Sequence, residues 1–308
     1  MKVVALAGGT GAAKLVRGLR GLDAGLHLTV IVNTGDDAEI WGLHVSPDLD
    51  TIAYALAGAL DETRGWGLPD ESFRVLDAMA RFGEPTWFNL GDRDLATHLH
   101  RSRLLRRGHT LSEATRSIAR ALGVAEVVLP MSDQPVRTRL RTADGWLDFQ
   151  EYFVREKAQV AVAAVEYVGA AEAAPAPGVL TAIGEADVVL ICPSNPVTSI
   201  GPILAVPGVV DGLARCAAPV VAVSPIVGDD AVSGPAGRLM AARGVPVSST
   251  GVARMYAGWL DALVFEASDG NLAPAIQAAG VRPVPAATMM RSREDERALA
   301  RRALEAAR

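Results

Sequence analysis

Short β-branched runs alternate with stretches of helical period along most of this chain. Lys2 to Ala7 and His27 to Asn33 read as buried strands, and Leu15, Leu19 and Leu22 recur between them at 3.6-type spacing. The opening is therefore a βαβ unit with a parallel sheet. Ser46-Pro47-Asp48 sets a capping residue, a proline at the first helical position and an acid in the first turn, ahead of an apolar helix predicted to run through Leu60. Further helices are predicted at Glu71 to Phe82, Asp92 to Arg107 and Leu111 to Leu122, the last opened by the capping box Thr110-Leu-Ser-Glu113. The strand Glu126 to Met131 returns the chain to the sheet.

The pattern changes from Val136. "VRTRLRTADGWLDFQEYFV" alternates polar and apolar positions around Asp144-Gly145, a hairpin signal, so a β insertion is expected at 136–168, with its hairpin over Val136 to Val154. "GAAEAAPAPG", Gly169 to Gly178, reads as a linker or surface loop. Beyond it the pattern predicts strands at Asp187 to Ile191, Val220 to Ser224, Val245 to Ser248 and Ala262 to Glu266. It also predicts a helix near Ala236 to Ala242 and a charged terminal helix from Ser292. The fold class is α/β: one domain over 1–308, Rossmann-like and doubly wound, its mainly parallel sheet interrupted by an antiparallel β-hairpin insertion.

At 308 residues, 50% hydrophobic and 21% charged, the chain has the apolar content for a large α/β core. A net charge of -5 gives no general attraction to nucleic acid, so an anion must be held by a local site, as a small phosphorylated ligand would be. The two cysteines, Cys192 and Cys216, have no CxxC spacing, and no run approaches the roughly 20 apolar residues of a membrane helix. A cytoplasmic protein is expected, with neither membrane nor nucleic acid as partner.

Ligands of an open parallel sheet bind outside the carboxyl ends of its strands. There the sequence places Gly8-Gly9-Thr10-Gly11, Asn33-Thr34-Gly35-Asp36-Asp37, Ser132-Asp133, Pro193-Ser194-Asn195-Pro196 and Ser224-Pro225. The first of these is neither a Walker loop, because Lys14 lies between Ala13 and Leu15, nor a full dinucleotide fingerprint. It is either a tight turn or a phosphate cradle at a helix N-terminus with Lys14 nearby. Asp48 has a ready role on the helix dipole, whereas Asp50 lies deeper in the helix. Residues two apart do not share a helix face, so at most one of the pair is expected to look squarely into a site. Asp50 with Asp37 would suffice for Mg2+, which takes one or two carboxylates plus substrate phosphates; the other reading is that these are solvated loop acids. In "NLGDRDLATHLHRS" Asp92 reads as an N-cap. Asp94, His98 and Arg101 share one helix face, read as a solvated ion pair with His98 structural, and Arg93 is suited to phosphate or a conjugated ring. "CPSNPVTSIGPIL" reads as a capped turn or as a second anion cradle facing the first.

Taken in order, "GGTGAAKL", "VNTGDD", "SPDLDT", "LGDRDLATH", "LPMSDQPV", "PSNPVTSIGPI" and "SPIVGDDAVSGPAG" resemble the 2-phospho-L-lactate transferase family of coenzyme F(420) biosynthesis over essentially the whole chain. The resemblance implies a magnesium-dependent enzyme with a Rossmann-like core. It would move a phospholactyl or phosphoenolpyruvyl group from a diphosphoguanosine donor to the deazariboflavin Fo, releasing GMP. The Ala- and Arg-rich composition turns the preference to the enolpyruvyl donor. On this resemblance Asp50 serves the metal or the attacking hydroxyl, Asp37 is its metal partner, and Arg93 is catalytic. Gly9, Thr10, Gly11 and Lys14 hold donor phosphate from one side and Ser194, Asn195 and Thr198 from the other, while Asn89, Asp92 and Arg93 line the Fo pocket with Asp50. A homodimer is expected. The alternative is a regulatory nucleotide-sugar binder of the gluconeogenesis-factor type, which shares the GGTG opening.

Overall fold

The computed structural model describes residues 1–22 and 25–308. Its centre is a seven-stranded sheet in the order Arg282–Ala286, Ala262–Glu266, Val220–Val223, Val188–Ile191, Lys2–Ala7, His27–Val32, Val127–Pro130. Every pairing in it is parallel. The chain runs outward from Lys2–Ala7 through His27–Val32 to Val127–Pro130, then returns to the other flank of Lys2–Ala7 and runs outward the opposite way. The crevice between Lys2–Ala7 and Val188–Ile191 is thus the topological switch point, where ligands of such sheets lie.

A parallel sheet must be covered on both faces, and alternate side chains of each strand go to opposite cores. Val3, Ala5 and Ala7 join Val188, Leu190 and Cys192 in one core, under helices Gly9–Arg20, Pro47–Ala57, Leu111–Ala121 and Arg293–Glu305. Val4, Leu6, Val189 and Ile191 join the other, under helices Val179–Gly184, Ile200–Ala205, Val209–Arg215, Ala236–Ala242, Ser249–Met255 and Ala273–Ala278. Gly18 lets the first and last helices touch, since a Cβ there would lie 2.2 Å from the Glu296 carbonyl oxygen.

Several local expectations change. The helix predicted through Leu60 ends at Ala57, where Gly58 turns left-handed at φ 69°. Val245 to Ser248 is not a strand but the lead into helix Ser249–Met255, with the Ser248 hydroxyl accepting the Gly251 N–H at 3.2 Å. Arg282–Ala286 is a strand despite Pro283 and Pro285, because it lies at the sheet edge where a missing N–H is tolerated. Within 136–168, Arg137–Thr142 and Gly145–Asp148 pair as the predicted hairpin, and Ala164–Val168 adds a third antiparallel strand. The hairpin does not continue to Val154: Glu151–Arg155 is one π-helical turn, which stacks Phe149 on Phe153 with ring centroids 5.5 Å apart. Among the described residues no helix is long and apolar enough to cross a membrane.

Candidate active site

One cavity of about 690 Å³ opens over the switch point. Its near wall is the Gly8–Gly11 turn with Lys14, and the segment Pro193 to Ser199 faces it. The two loops meet closely: a Cβ on Gly11 would lie 2.3 Å from the Pro193 carbonyl oxygen, and one on Gly8 would lie 2.6 Å from Asp48 Oδ2. Gly8 N–H donates to Ser194 Oγ at 3.3 Å, and Gly9, at φ 73°, donates its N–H to Asp48 Oδ1 at 2.7 Å. Thr10 and Gly11 stand in the first turn of their helix, where amides have no intrahelical acceptor. Asn195 shapes its own turn, its Oδ1 accepting from the Val197 and Thr198 amides at 2.9 and 3.3 Å. Lys14 Nζ donates to the Met290 carbonyl at 3.0 Å on the cavity rim.

Behind this turn lies a buried group that the site assignment from sequence omitted. Asn33 Nδ2 reaches Asp48 Oδ2 at 2.9 Å, Asp36 Oδ1 at 3.1 Å and the Thr198 carbonyl at 3.2 Å. The insertion contributes Gln150, whose amide donates to the Asp36 carbonyl at 3.2 Å. Among the described residues no cation sits within hydrogen-bond reach of either carboxylate. Burial therefore pushes Asp48 up to about 6, against the hydrogen bonds from Asn33 and Gly9. Asp36 rises well above the ordinary range, through burial first and then the neighbouring Asp48 and Asp37 carboxylates.

The second acidic group lies further along the same helix and on the next one. Asp94, His98 and Arg101 do share a face of helix Asp94–Arg106, but that face is buried, not a solvated ion pair. Arg101 grips both oxygens of Asp50 with its two terminal nitrogens, Nη1 at 3.1 Å from Oδ2 and Nη2 on Oδ1. His98 Nδ1 lies 3.6 Å from Asp50 Oδ2 and Nε2 lies 3.3 Å from Asp94 Oδ2, while Tyr54 donates its hydroxyl to Asp94 Oδ1 at 2.6 Å. Burial raises Asp50 above its usual value although Arg101 and His98 pull it down. Burial also works to raise Asp94, but the His98 imidazole and the Tyr54 hydroxyl outweigh it and hold that carboxyl low. Asp50, Asp94 and His98 offer ligand atoms within 4.8 Å of one another and could hold a metal ion. His98 Nε2 faces Asp94 Oδ2 without a well-aligned hydrogen bond to it.

Both Asp48 and Asp50 line the cavity, although at most one of the pair was expected to look squarely into a site. Gly9, Thr10, Gly11, Lys14, Ser194, Asn195, Thr198, Asn89 and Asp50 all stand in the wall. Asp37, Asp92 and Arg93 do not. Asp37 is buried, with Oδ2 accepting from His44 Nε2 at 2.8 Å and Ser46 Oγ at 2.9 Å, and Oδ1 unpartnered. Asp92 does not cap its own helix: it accepts from the Arg74 and Val75 amides at 3.2 and 3.1 Å, capping helix Arg74–Arg81. Glu71 caps helix Asp94–Arg106 in return, accepting from the Arg93 and Asp94 amides at 2.8 and 2.7 Å. A Cβ on Gly91 would strike that carboxylate at 2.2 Å. Arg93 donates to the Pro69 carbonyl at 2.6 Å, completing a clasp between the two segments.

A family model described as 2-phospho-L-lactate transferase CofD matches residues 3–298. The chain belongs to the 2-phospho-L-lactate transferase family. A Streptomyces griseus protein named phosphoenolpyruvate transferase is 45% identical over 313 residues, covering 100% of this chain and 98% of its own length. A Methanosarcina acetivorans protein named 2-phospho-L-lactate transferase is 44% identical over 298 residues, covering 97% and 96%. A solved structure of a UPF0052-family protein from Bacillus halodurans aligns with a TM-score of 0.66 over 98% of both chains at 19% identity, a likeness of fold alone. Full-length membership in the transferase family sets aside the regulatory nucleotide-sugar-binding alternative.

The aromatic wall was the least visible part of this transferase site. Phe149 and Phe153 come from the insertion, and Trp66 and Phe88 from the segments around the clasp. Their positions four apart in "FQEYF" give the only local signal, and it reads equally well as helix packing.

Proposed function

We propose that this enzyme transfers a phosphoenolpyruvyl group from enolpyruvyl-2-diphospho-5'-guanosine to the ribityl hydroxyl of Fo, releasing GMP, in coenzyme F(420) biosynthesis. The observation that carries the reading is a single cavity joining the phosphate-type turn to Asp50, in a chain matched to the family over residues 3–298. The enolpyruvyl donor is supported by the Streptomyces and Kitasatospora relatives of that name, 44% to 46% identical to this chain. The 2-phospho-L-lactyl donor is the competing substrate, given the methanogen relatives at 41% to 44%.

In this reading the Thr10 and Gly11 amides and Lys14 hold donor phosphate at the positive end of their helix. Ser194, Asn195 and Thr198 support the turn from the opposite wall. Asp50 accepts the hydrogen bond of the ribityl hydroxyl, which attacks phosphorus as the bond to the GMP oxygen breaks and yields its proton toward that carboxylate. Asn89 and the aromatic wall carry the ring of Fo. Asp92 and Arg93 act from outside the wall by fastening the segment above it.

Asp50 and Asp94 would hold Mg2+, an oxygen-seeking ion for which the His98 nitrogen is a poor ligand. The fit rests on charge: one guanidinium stands against two buried carboxylates, whose oxygens lie within 4.8 Å of each other. The ion would neutralise charge on the transferring phosphate. Asp37, held by His44 and Ser46, stays behind the cavity wall. A second copy of the chain is proposed as its partner on the family resemblance, and light scattering at twice the chain mass tests it.

Mass spectrometry of a reaction containing the protein, magnesium, Fo and either fresh donor tests the function. A product equal to Fo plus phosphoenolpyruvyl, with GMP released, is expected. Product from the lactyl donor alone overturns the donor assignment, and no product from either overturns the reading.

A further inference from the structure

We propose that Arg101 is a positioning residue that holds the Asp50 carboxylate in its working orientation. The inference rests on the reading that Asp50 meets the acceptor hydroxyl. Arg101 is 1% exposed and is not part of the cavity wall, whereas Asp50 is, so Arg101 stands behind the carboxylate and acts only through it.

Its hold is two-pronged. The two terminal nitrogens take one Asp50 oxygen each, which fixes the plane of the carboxylate as well as its distance. Nη1 is itself anchored, 3.4 Å from both the His44 carbonyl and His98 Nδ1. The neighbouring Ser102 Oγ accepts the His44 N–H at 2.8 Å, tying helix Asp94–Arg106 to strand Leu43–Val45 at the same point. A carboxylate so gripped keeps its remaining lone pairs aimed at the cavity, where an attacking hydroxyl or a cation can use them.

Stability alone gives little reason for such a pair, because a buried ion pair replaced by packed apolar residues often leaves a fold as stable or more so. Orientation gives a reason, and it distinguishes arginine from lysine. An ammonium supplies the charge without the planar fork.

Arg101→Lys, Arg101→Met, Asp50→Asn and Asp50→Asn/Arg101→Met separate these roles by kcat, donor KM, calorimetric affinity for the acceptor, and melting temperature. Arg101→Lys is expected to keep the melting temperature near wild type yet lose about 100-fold in kcat, the scale of a misplaced reacting group. Donor KM should stay within about threefold. Acceptor affinity should fall about tenfold in Asp50→Asn and by the same factor of about ten, not a hundredfold, in the double variant, since the two residues act as one unit. If Arg101→Met fails to fold, the double variant, which removes both members of the pair, takes its place. Wild-type kcat in Arg101→Lys, or multiplied losses in the double variant, overturns the proposal. Wild-type turnover in Asp50→Asn would instead overturn the role of Asp50 itself.

Discussion

Two carboxylates on helix Pro47–Ala57, Asp48 and Asp50, are both buried and both line the cavity, yet they are held in opposite ways. Asp48 is met by neutral donors, the Gly9 amide and the Asn33 side chain. Asp50 is met by a guanidinium. Burial disfavours the charge on both, and only at Asp50 does a full opposite charge answer it. On the proposed reading this is a division of labour: Asp48 is a strut that shapes the Gly8–Gly11 turn, while Asp50 is the carboxylate that meets the acceptor hydroxyl. Two positions of sequence, about 200° around a helix, suffice to separate them.

The largest effect expected from breaking this comparison is at Asp50. Asp50→Asn keeps the shape and removes the charge, so steady-state turnover should fall by about 100-fold to 10,000-fold with the circular dichroism spectrum unchanged.

The next effect is a pH dependence belonging to Asp48. Its value in the folded protein, about 6, lies above the 3.8 of an ordinary aspartate, so the folded state binds the proton more tightly than the unfolded one. The stabilisation is full below about pH 4 and is lost as pH rises through about 6, amounting to no more than about 3 kcal/mol. The ligand-free melting temperature should therefore fall between about pH 4 and pH 6, and Asp48→Asn should flatten that slope, leaving a residue from Asp36, whose shift has the same sign.

Gly11→Ala sharpens the comparison from the side of the strut. A Cβ 2.3 Å from the Pro193 carbonyl forces apart the two loops that Asp48 helps to hold. A loss of about 1–3 kcal/mol in denaturant unfolding is expected, together with weaker donor binding.

The smallest effect belongs to Asp92, which is met only by neutral donors but at the surface, where solvent already serves its charge. Asp92→Ala should leave global melting almost unchanged and speed amide exchange in helix Arg74–Arg81, whose cap it removes.

What the sequence revealed follows the range of the interaction involved. The opening βαβ unit, the Thr110 capping box and the Asp144-Gly145 hairpin were legible because each is written in a few adjacent residues. So was the Gly8–Gly11 turn, whose demand for small residues is local. The edge strand Arg282–Ala286 was hidden by its prolines, which only its position in the sheet excuses. The π-turn at Glu151–Arg155, which stands in the cavity wall, was hidden because alternation predicts a strand there. Asp94, His98 and Arg101 were correctly placed on one helix face, but a pattern of charges gives no burial. The partner that makes Arg101 meaningful, Asp50, stands 51 residues away. Asp92 and Arg93 suggested a ligand site because capping carboxylates and phosphate-binding arginines look alike until their partners, at Arg74, Val75 and Pro69, are seen.

The measurement that tests the division of labour most directly is calorimetric titration of the diphosphoguanosine donor into Asp48→Asn and Asp50→Asn side by side. Donor affinity is expected to be about tenfold weaker in Asp48→Asn, where the turn loses its strut, and within about threefold of wild type in Asp50→Asn. Donor binding lost in Asp50→Asn and intact in Asp48→Asn would contradict that division.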